Sequence, residues 1–331
     1  MNDGLSPGRI AGRRFLSNPI AIVGLVMVGS VLVLAFSSIG FGPVPGWWNK
    51  TPGEQGPVSG PTLSLLPRFL GGAGLRLGEH PFGTDDIGVD FFALTMRGVQ
   101  VSVTIAVVTG LVSVTIGTVV GMVAGYRRGW VDSLLMRFTD MILVTPVLVV
   151  AAVLGRMAGA SGPMVLALVL GLLSWGGLAR LVRGEVLLIR EHAFIASARV
   201  IGAGSLRIIR RHVLPNAFGV IVVSATLTVS AAVLLESALS FIGYGVRPPD
   251  TSLGLLINSY RNSLSVRPWL FWWPGIFIIA FTLGVNFIGD GLRDALDPRQ
   301  RERISARRLL SPAGRRIPGQ RRTRTTTGGL S

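Results

Sequence analysis

The sequence predicts an all-α membrane protein with six transmembrane helices, and three observations carry that prediction. Only 15% of the 331 residues are charged and 49% are apolar, where a soluble chain carries closer to a quarter charged. Six segments reach the roughly 20 apolar residues that a membrane helix needs. The arginines fall on alternate sides of those segments, as the positive-inside rule describes.

Taken in order, residues 1–18 read as a cytoplasmic N-terminus. The first apolar run, 19–41, follows Arg13 and Arg14 as a secretory signal would. It is longer than an h-region of about 7–15 residues, so an uncleaved anchor is expected. Residues 42–97, rich in Gly and Pro, are assigned to the extracytoplasmic side, with Trp47 and Trp48 in the interfacial aromatic belt. The remaining spans, 98–125, 133–157, 162–181, 213–240 and 270–290, form a core over 98–299. Pro146 and Pro274 should kink or begin helices. Residues 300–331, rich in Arg, Ser, Thr and Gly, are expected to be a disordered cytoplasmic tail.

With the N-terminus inside, Arg9, Arg13, Arg14, Arg127, Arg128, the dense set from Arg180 to Arg211 and the tail all lie on one side. The opposite side holds fewer basic residues over longer loops, so both termini are expected to be cytoplasmic. The net charge of +16 then reads as a topology signal and an attraction to inner-leaflet lipid, not as a nucleic-acid footprint. The chain has no cysteine, which excludes disulfides, thiolate metal sites and thiol nucleophiles. His80, His192 and His212 lack metal-ligand spacing. A Walker A pattern is absent, so the chain cannot be an ATP-hydrolysing subunit.

The loop 182–212 is long for a connection between bundle helices. It holds two helical patterns on either side of Gly202-Ala203-Gly204. The first, near 191–201, spaces Phe194, Ile195, Ala198 and Ile201 as one helical stripe. Its small residues Ala196, Ser197, Ala198 and Gly202 would let another protein's backbone come close. The second, 205–214, alternates Leu206, Ile209 and Val213 with Arg207, Arg210 and Arg211. Pro215 fits the first turn of the next span or a kink near it. Periodicity alone allows a partner-docking helix and a basic interfacial helix equally.

Within the spans, Gly117, Gly121 and Gly125 recur every four residues and should let a neighbouring helix pack closely, within one subunit rather than between subunits. Arg137 and Asp140, three apart, should neutralise each other. Glu236 is a carboxylate at membrane depth and should face the bundle, a partner or water. Structural hydrogen bonding and a place on a translocation path both remain open for it. Ser240 and Asn286 join it as candidates for a path or gate.

Residues 196–215 resemble the coupling motif of ABC importers. Ala196-Ser197-Ala198, Gly202 and His212-Val213-Leu214-Pro215 meet its spacing, with Ala196 in place of its leading Glu and His212 in place of its Ile. Three further stretches are similar to the oligopeptide/dipeptide/nickel permeases: His80 to Asp90, Leu239 to Pro249, and Gly289 to Arg299. Arg13 to Pro19 resembles their opening. The chain is thereby identified as a member of that family, of its C-type subunit.

The resemblance implies the type I ABC-importer permease fold with a cytoplasmic coupling helix, in a bacterial or archaeal cytoplasmic membrane. It implies an ATP-driven, binding-protein-dependent importer of di- or oligopeptides in which this chain is not an enzyme and holds no cofactor, ATP and Mg being bound by its partners. Those partners would be two ABC ATPase subunits, a homologous B-type permease, an extracytoplasmic solute-binding protein and membrane lipid. Coupling would fall to Phe194, Ile195, Ala196, Ser197, Ala198, Arg199, Gly202, Ala203, Leu206, Leu214 and Pro215. Nickel complexes or oligosaccharides are the alternative cargo. An ion-coupled secondary transporter would need more intramembrane carboxylates or broken helices than are legible here. An intramembrane enzyme would need a catalytic pair that is not found.

Overall fold

Apolar runs of this length can satisfy their backbone in a membrane only as helices, and twelve helices make up the described structure. The structure, a computed structural model, describes residues 7–64, 76–158 and 162–296. The chain divides into two units, Met1–Ala295 and Leu296–Ser331. The helices below belong to the first, and the tail from 300 and the Asp297–Arg299 end of the last motif lie outside the described residues.

Helix α1 (Pro7–Ser17) leads to α2 (Pro19–Ser38) through Asn18, whose side chain accepts the Ile20 N–H ahead of a proline-led first turn. A two-stranded antiparallel ribbon follows, β1 (Gly40–Phe41) and β2 (Val44–Pro45), with Gly40 opposite Pro45. The membrane bundle comprises α3 (Phe91–Arg127), α4 (Gly129–Val144), α5 (Val147–Ala158), α6 (Pro163–Ser174) and α7 (Gly176–Arg190). It continues with α8 (Ala193–Val200), α9 (Ser205–Ile208), a π turn at Ile209–Val213, α10 (Leu214–Phe241), α11 (Leu253–Tyr260) and α12 (Trp269–Leu296).

Four helices are long and apolar enough to cross a membrane, and six spans result if each of two bent pairs is one span. The third span, expected as one helix, is broken by 81° between α4 and α5. Pro146 causes the break: it has no N–H to continue the ladder, and it forces Thr145 out of the helical region to ψ 128°. The fourth is bent by 45° at Trp175, just ahead of Gly176-Gly177. The second span begins earlier than expected, so residues 91–97 are helix rather than loop. The expected loop 182–212 shrinks for the same reason. Residues 182–190 complete α7, and 205–213 run without interruption into α10 as one helix from Ser205 to Phe241.

Helix α3 is the mast of the bundle and packs against α2, α4, α6, α7, α10 and α11. Its first turns lie in an apolar cluster with Leu253, Leu270 and Phe281, its middle in a second with Leu166, Leu170 and Leu239, and its last in a third with Val182, Val186 and Ile195. Gly117, Gly121 and Gly125 face α7. A β-carbon at Gly121 would stand 2.5 Å from the Ala179 carbonyl oxygen, and one at Gly125 would stand 2.9 Å from that of Arg183. Buried hydroxyls bind the next helix: Thr109 donates to the Ala167 carbonyl at 3.0 Å and Ser113 to that of Gly171 at 3.0 Å. In lipid, where apolar contact alone gives no association, close packing and such bonds supply it.

Charged pairs tie α4 to α7. Arg183 holds Asp132 with two bonds, at 2.6 and 2.7 Å. Asp140 pairs with Arg180 of α7 rather than with Arg137, the partner that the sequence spacing predicts. An interhelical guanidinium reaches the carboxylate, so the i,i+3 contact is replaced.

Gly121→Leu should therefore separate α3 from α7 and cost about 1–3 kcal/mol or more. Gly184→Ala on α7, where nothing lies within 4 Å of the new carbon, should be neutral or gain up to about 1 kcal/mol. Thermal unfolding of the purified chain in detergent checks both.

Candidate functional site

The loop between α7 and α10 is built around one short helix. Glu191 and His192 turn the chain after α7, and α8 follows. Ile195 and Ala198 are buried against Val186, Ile189, Ile208 and Val213, which fixes α8 to the ends of α7 and α10. Helix α8 stops at a left-handed glycine. The Gly202 N–H reaches the Arg199 carbonyl at 2.9 Å and the Ala203 N–H that of Ala198 at 3.0 Å, with Gly202 at φ +83°. This paired closure needs a residue without a β-carbon at Gly202, which gives the glycine of the motif a reason inside this chain.

The closure also corrects the expected stripe. Ile195 and Ala198 face inward, but Ile201 follows the last helical residue and is turned outward with Val200. Val200 and Ile201 are 89% and 85% exposed. Phe194, Ala196, Ser197, Arg199, Gly202, Leu206 and Pro215 are also exposed. Ala203 and Leu214 are half-buried and support the helix from below. The Phe194 ring lies between His192 and His212, at 5.5 and 6.3 Å. The result is a small apolar knob at the end of the bundle, held rigidly from behind and open in front. Val200 was outside the sequence-based site, because periodicity cannot show where a helix stops.

Beside the knob, arginines converge on Tyr126 at the end of α3. Arg190 donates to the Tyr126 carbonyl at 2.5 Å, and the guanidiniums of Arg190 and Arg199 lie 5.7 and 5.6 Å from its ring centre. Arg128 links the ends of α3 and α4 at φ 56° and ψ −171°, a region that costs a non-glycine residue about 1–3 kcal/mol. It pairs with Glu191.

At the other end of the bundle, the stretch from His80 to Asp90 closes over the start of α3. Asp90 caps the helix by accepting the Ala93 N–H at 2.8 Å, and also accepts the Trp48 indole at 3.2 Å and His80 Nδ1 at 2.7 Å. Lys50 Nζ stands 2.9 Å from His80 Nε2. Phe82 stacks on Trp273 at 3.9 Å. Asp85 accepts the Ile87 and Val89 N–H groups and the Tyr260 hydroxyl, the last at 3.0 Å. Burial, with the Asp85 carboxylate beside it, raises the Tyr260 phenol above its ordinary value. Trp48, expected in an interfacial belt, is instead packed on Phe92 within this cap.

Glu236 is fully buried in α10 and is bonded within the chain. It accepts from Ser102 of α3 at 2.8 Å and from Ser240 at 2.7 Å. Ser102 in turn accepts the Leu253 N–H that opens α11, and Ser240 accepts that of Val246. Glu236 and Ser240 thus belong to one network that pins the connection 242–252. Asn286, on α12, is half-buried and outside that network. Gly117, Gly121 and Gly125 lie on the opposite side of α3's length, against α7.

Residues 117–302 match the family model described as binding-protein-dependent transport system inner membrane component. The chain is 36% identical over 291 residues to a putative peptide permease protein of Brucella suis, covering 87% of this chain and 90% of that one. It is 41% identical over 224 residues to an oligopeptide transport system permease protein of Mycobacterium bovis, covering 67% and 77%. It is 36% identical over 299 residues to a dipeptide transport system permease protein of Bacillus subtilis, covering 90% and 87%.

Asp90→Asn keeps the size of the side chain but weakens the helix cap and the charge that holds His80 and Trp48. A loss of about 1–3 kcal/mol is expected, read by thermal unfolding in detergent. The raised phenol of Tyr260 contributes stability that is complete below the unfolded tyrosine value of about 10 and is lost as pH rises above it. The alkaline fall in stability should accordingly be shallower in Tyr260→Phe.

Proposed function

The chain belongs to the family of binding-protein-dependent transport system inner membrane components, and on that premise we propose that it is the membrane subunit of an ATP-driven peptide importer. The cargo class rests on relatives whose names specify peptide, oligopeptide and dipeptide transport and which match this chain over most of both lengths. The chain itself is a multi-pass membrane protein of that family and performs no catalysis. ATP binding and hydrolysis fall to two separate ATPase subunits. A homologous permease completes the path, and an extracytoplasmic binding protein delivers the peptide to the His80–Asp90 end.

The observation that carries the mechanism is the α8 knob. Val200, Ile201, Phe194 and Leu206 expose apolar surface at the tip of the bundle, and the basic residues around it support a cytoplasmic position for this tip. A short helix with an apolar front fits a groove on a partner protein. Ile195 and Ala198 behind it pass any displacement to α7 and α10. When the two ATPases close on ATP, their differential affinity for two positions of α8 would tilt these helices and switch the access of the path. Glu236 and Ser240 hold the α10–α11 connection through that movement, a positioning role rather than a gate.

Val200→Asp with Ile201→Asp changes only exposed side chains, so the fold should be retained. Co-purification of the ATPases with the tagged chain should fall by roughly tenfold or more, with matching loss of peptide-stimulated ATP hydrolysis in the reconstituted complex. Undiminished capture and stimulation would refute docking through α8.

A further inference from the structure

We infer that the arginine pocket at the junction of α3, α4 and α7 is a binding site for the phosphate headgroup of an anionic phospholipid. The cavity, about 600 Å³, is lined by Arg127, Arg128, Arg190 and Arg199 together with Tyr126 and Trp130. Four arginines line it, and one carboxylate, that of Glu191, is paired with Arg128. The neighbouring acids are spent elsewhere: Asp132 is held by Arg183 and Asp140 by Arg180. Like charges so gathered repel each other, and an anion seated among them relieves that repulsion. Guanidinium forks match phosphate oxygens in pairs.

Two features build the site rather than leave it as a chance patch. Tyr126 organises it: its carbonyl accepts from Arg190, and its ring carries the guanidiniums of both Arg190 and Arg199 on one aromatic platform. Arg128 occupies a backbone conformation suited to glycine, and this holds its side chain at the mouth of the cavity.

The apolar surroundings select a lipid over a free phosphate. Trp130 stands at the rim, and Leu134, Phe138 and Met141 follow it at helical spacing along α4, all exposed. A headgroup in the pocket would lay its acyl chains along that row. The site lies where α3 and α7 end and α4 begins. Basic pockets in that position on the cytoplasmic side are suited to acidic lipids. The inference rests on the orientation proposed above. It places lipid contact beside α8, so that leaflet composition would bear on the element that meets the ATPases.

The test is native mass spectrometry of the intact chain, purified in mild detergent and offered equal phosphatidylglycerol and phosphatidylcholine. The wild type should retain phosphatidylglycerol preferentially. Arg190→Gln with Arg199→Gln should reduce that retention roughly tenfold or more, whereas Arg211→Gln, outside the pocket, should leave it unchanged. Trp130→Ala should weaken retention as well. Should the double variant fail to fold, Arg199→Gln alone, at an exposed side chain, carries the comparison. Equal retention of the two lipids, or equal loss in Arg211→Gln, would overturn the site. Full displacement of the lipid by excess inorganic phosphate, with Trp130→Ala silent, would overturn the lipid in favour of a soluble phosphate. Orientation is read separately. The chain has no cysteine, so Ser197→Cys can be labelled with an impermeant maleimide in vesicles of either sidedness. Labelling from the outside refutes the orientation; labelling from the cytoplasm without lipid preference refutes the pocket alone.

Discussion

The close approach of α3 and α7 is the contact on which the rest of the molecule depends. Gly117, Gly121 and Gly125 leave one side of α3 without side chains over about two turns, and the α7 backbone comes within van der Waals reach of that strip. Dispersion over such a surface, not water exclusion, is what holds helices together in lipid. Once α7 is fixed against α3, its C-terminal turn ends beside Tyr126. The next residues must then turn under the bundle, and α8 takes its position from Val186 and Ile189 on that last turn. The knob is thus placed by glycines about seventy residues upstream of it.

The polar bonds divide along the membrane. Inside, a few buried bonds cross between segments: Thr109 and Ser113 on α6 carbonyls, Gln100 on the Ala35 and Gly40 carbonyls, and Ser102 of α3 on Glu236, which also accepts from Ser240 of its own helix. An unpaired group there would cost several kcal/mol, of the order of a lost backbone bond in hydrocarbon. Outside, ionic pairs accumulate, as in the His80–Asp90 cap and the α4–α7 arginine pairs. Those in water contribute little to stability singly. Their value is in geometry, since they fix helix ends whose apolar sides would otherwise slide.

Much of this was legible in the sequence, and the failures have physical causes. Four of the six spans appear as single long apolar helices and the other two as bent helix pairs, and apolar length makes such segments legible because lipid imposes that length directly. The glycine spacing announced a close helix, and Pro146 announced a break, although proline chemistry does not give the angle. Ile201 was placed on the wrong side of α8 because a 3.6-residue period was carried past Gly202, where the left-handed closure swings the chain outward. Asp140 was given Arg137 because sequence shows near neighbours, whereas Arg180 is brought by the fold. The stretch from His80 to Asp90 was visible as a pattern, but its partners Trp48, Tyr260 and Trp273 are remote in the chain. Composition and period carry no information about such pairings.

The split between rigid and exposed surfaces bears on how the proposed ATPase partners could act on this chain. Displacement at α8 can travel only through elements that do not yield, and α8 is joined to α7 by packed apolar side chains and to α10 by an unbroken helix from Ser205. The Gly202 closure and the π turn at Ile209–Val213 are irregularities on that route, and π turns inside helices occur frequently at functional sites. Beyond them, α10 carries Glu236, whose bond from Ser102 ties α10 to α3 and, through Ser102, to the first turn of α11. Under the proposed coupling, a tilt entering at α8 would reach the far end of the bundle through these contacts. Glu236 is thereby held to α3 through Ser102 and within α10 through Ser240, where those two helices pack together.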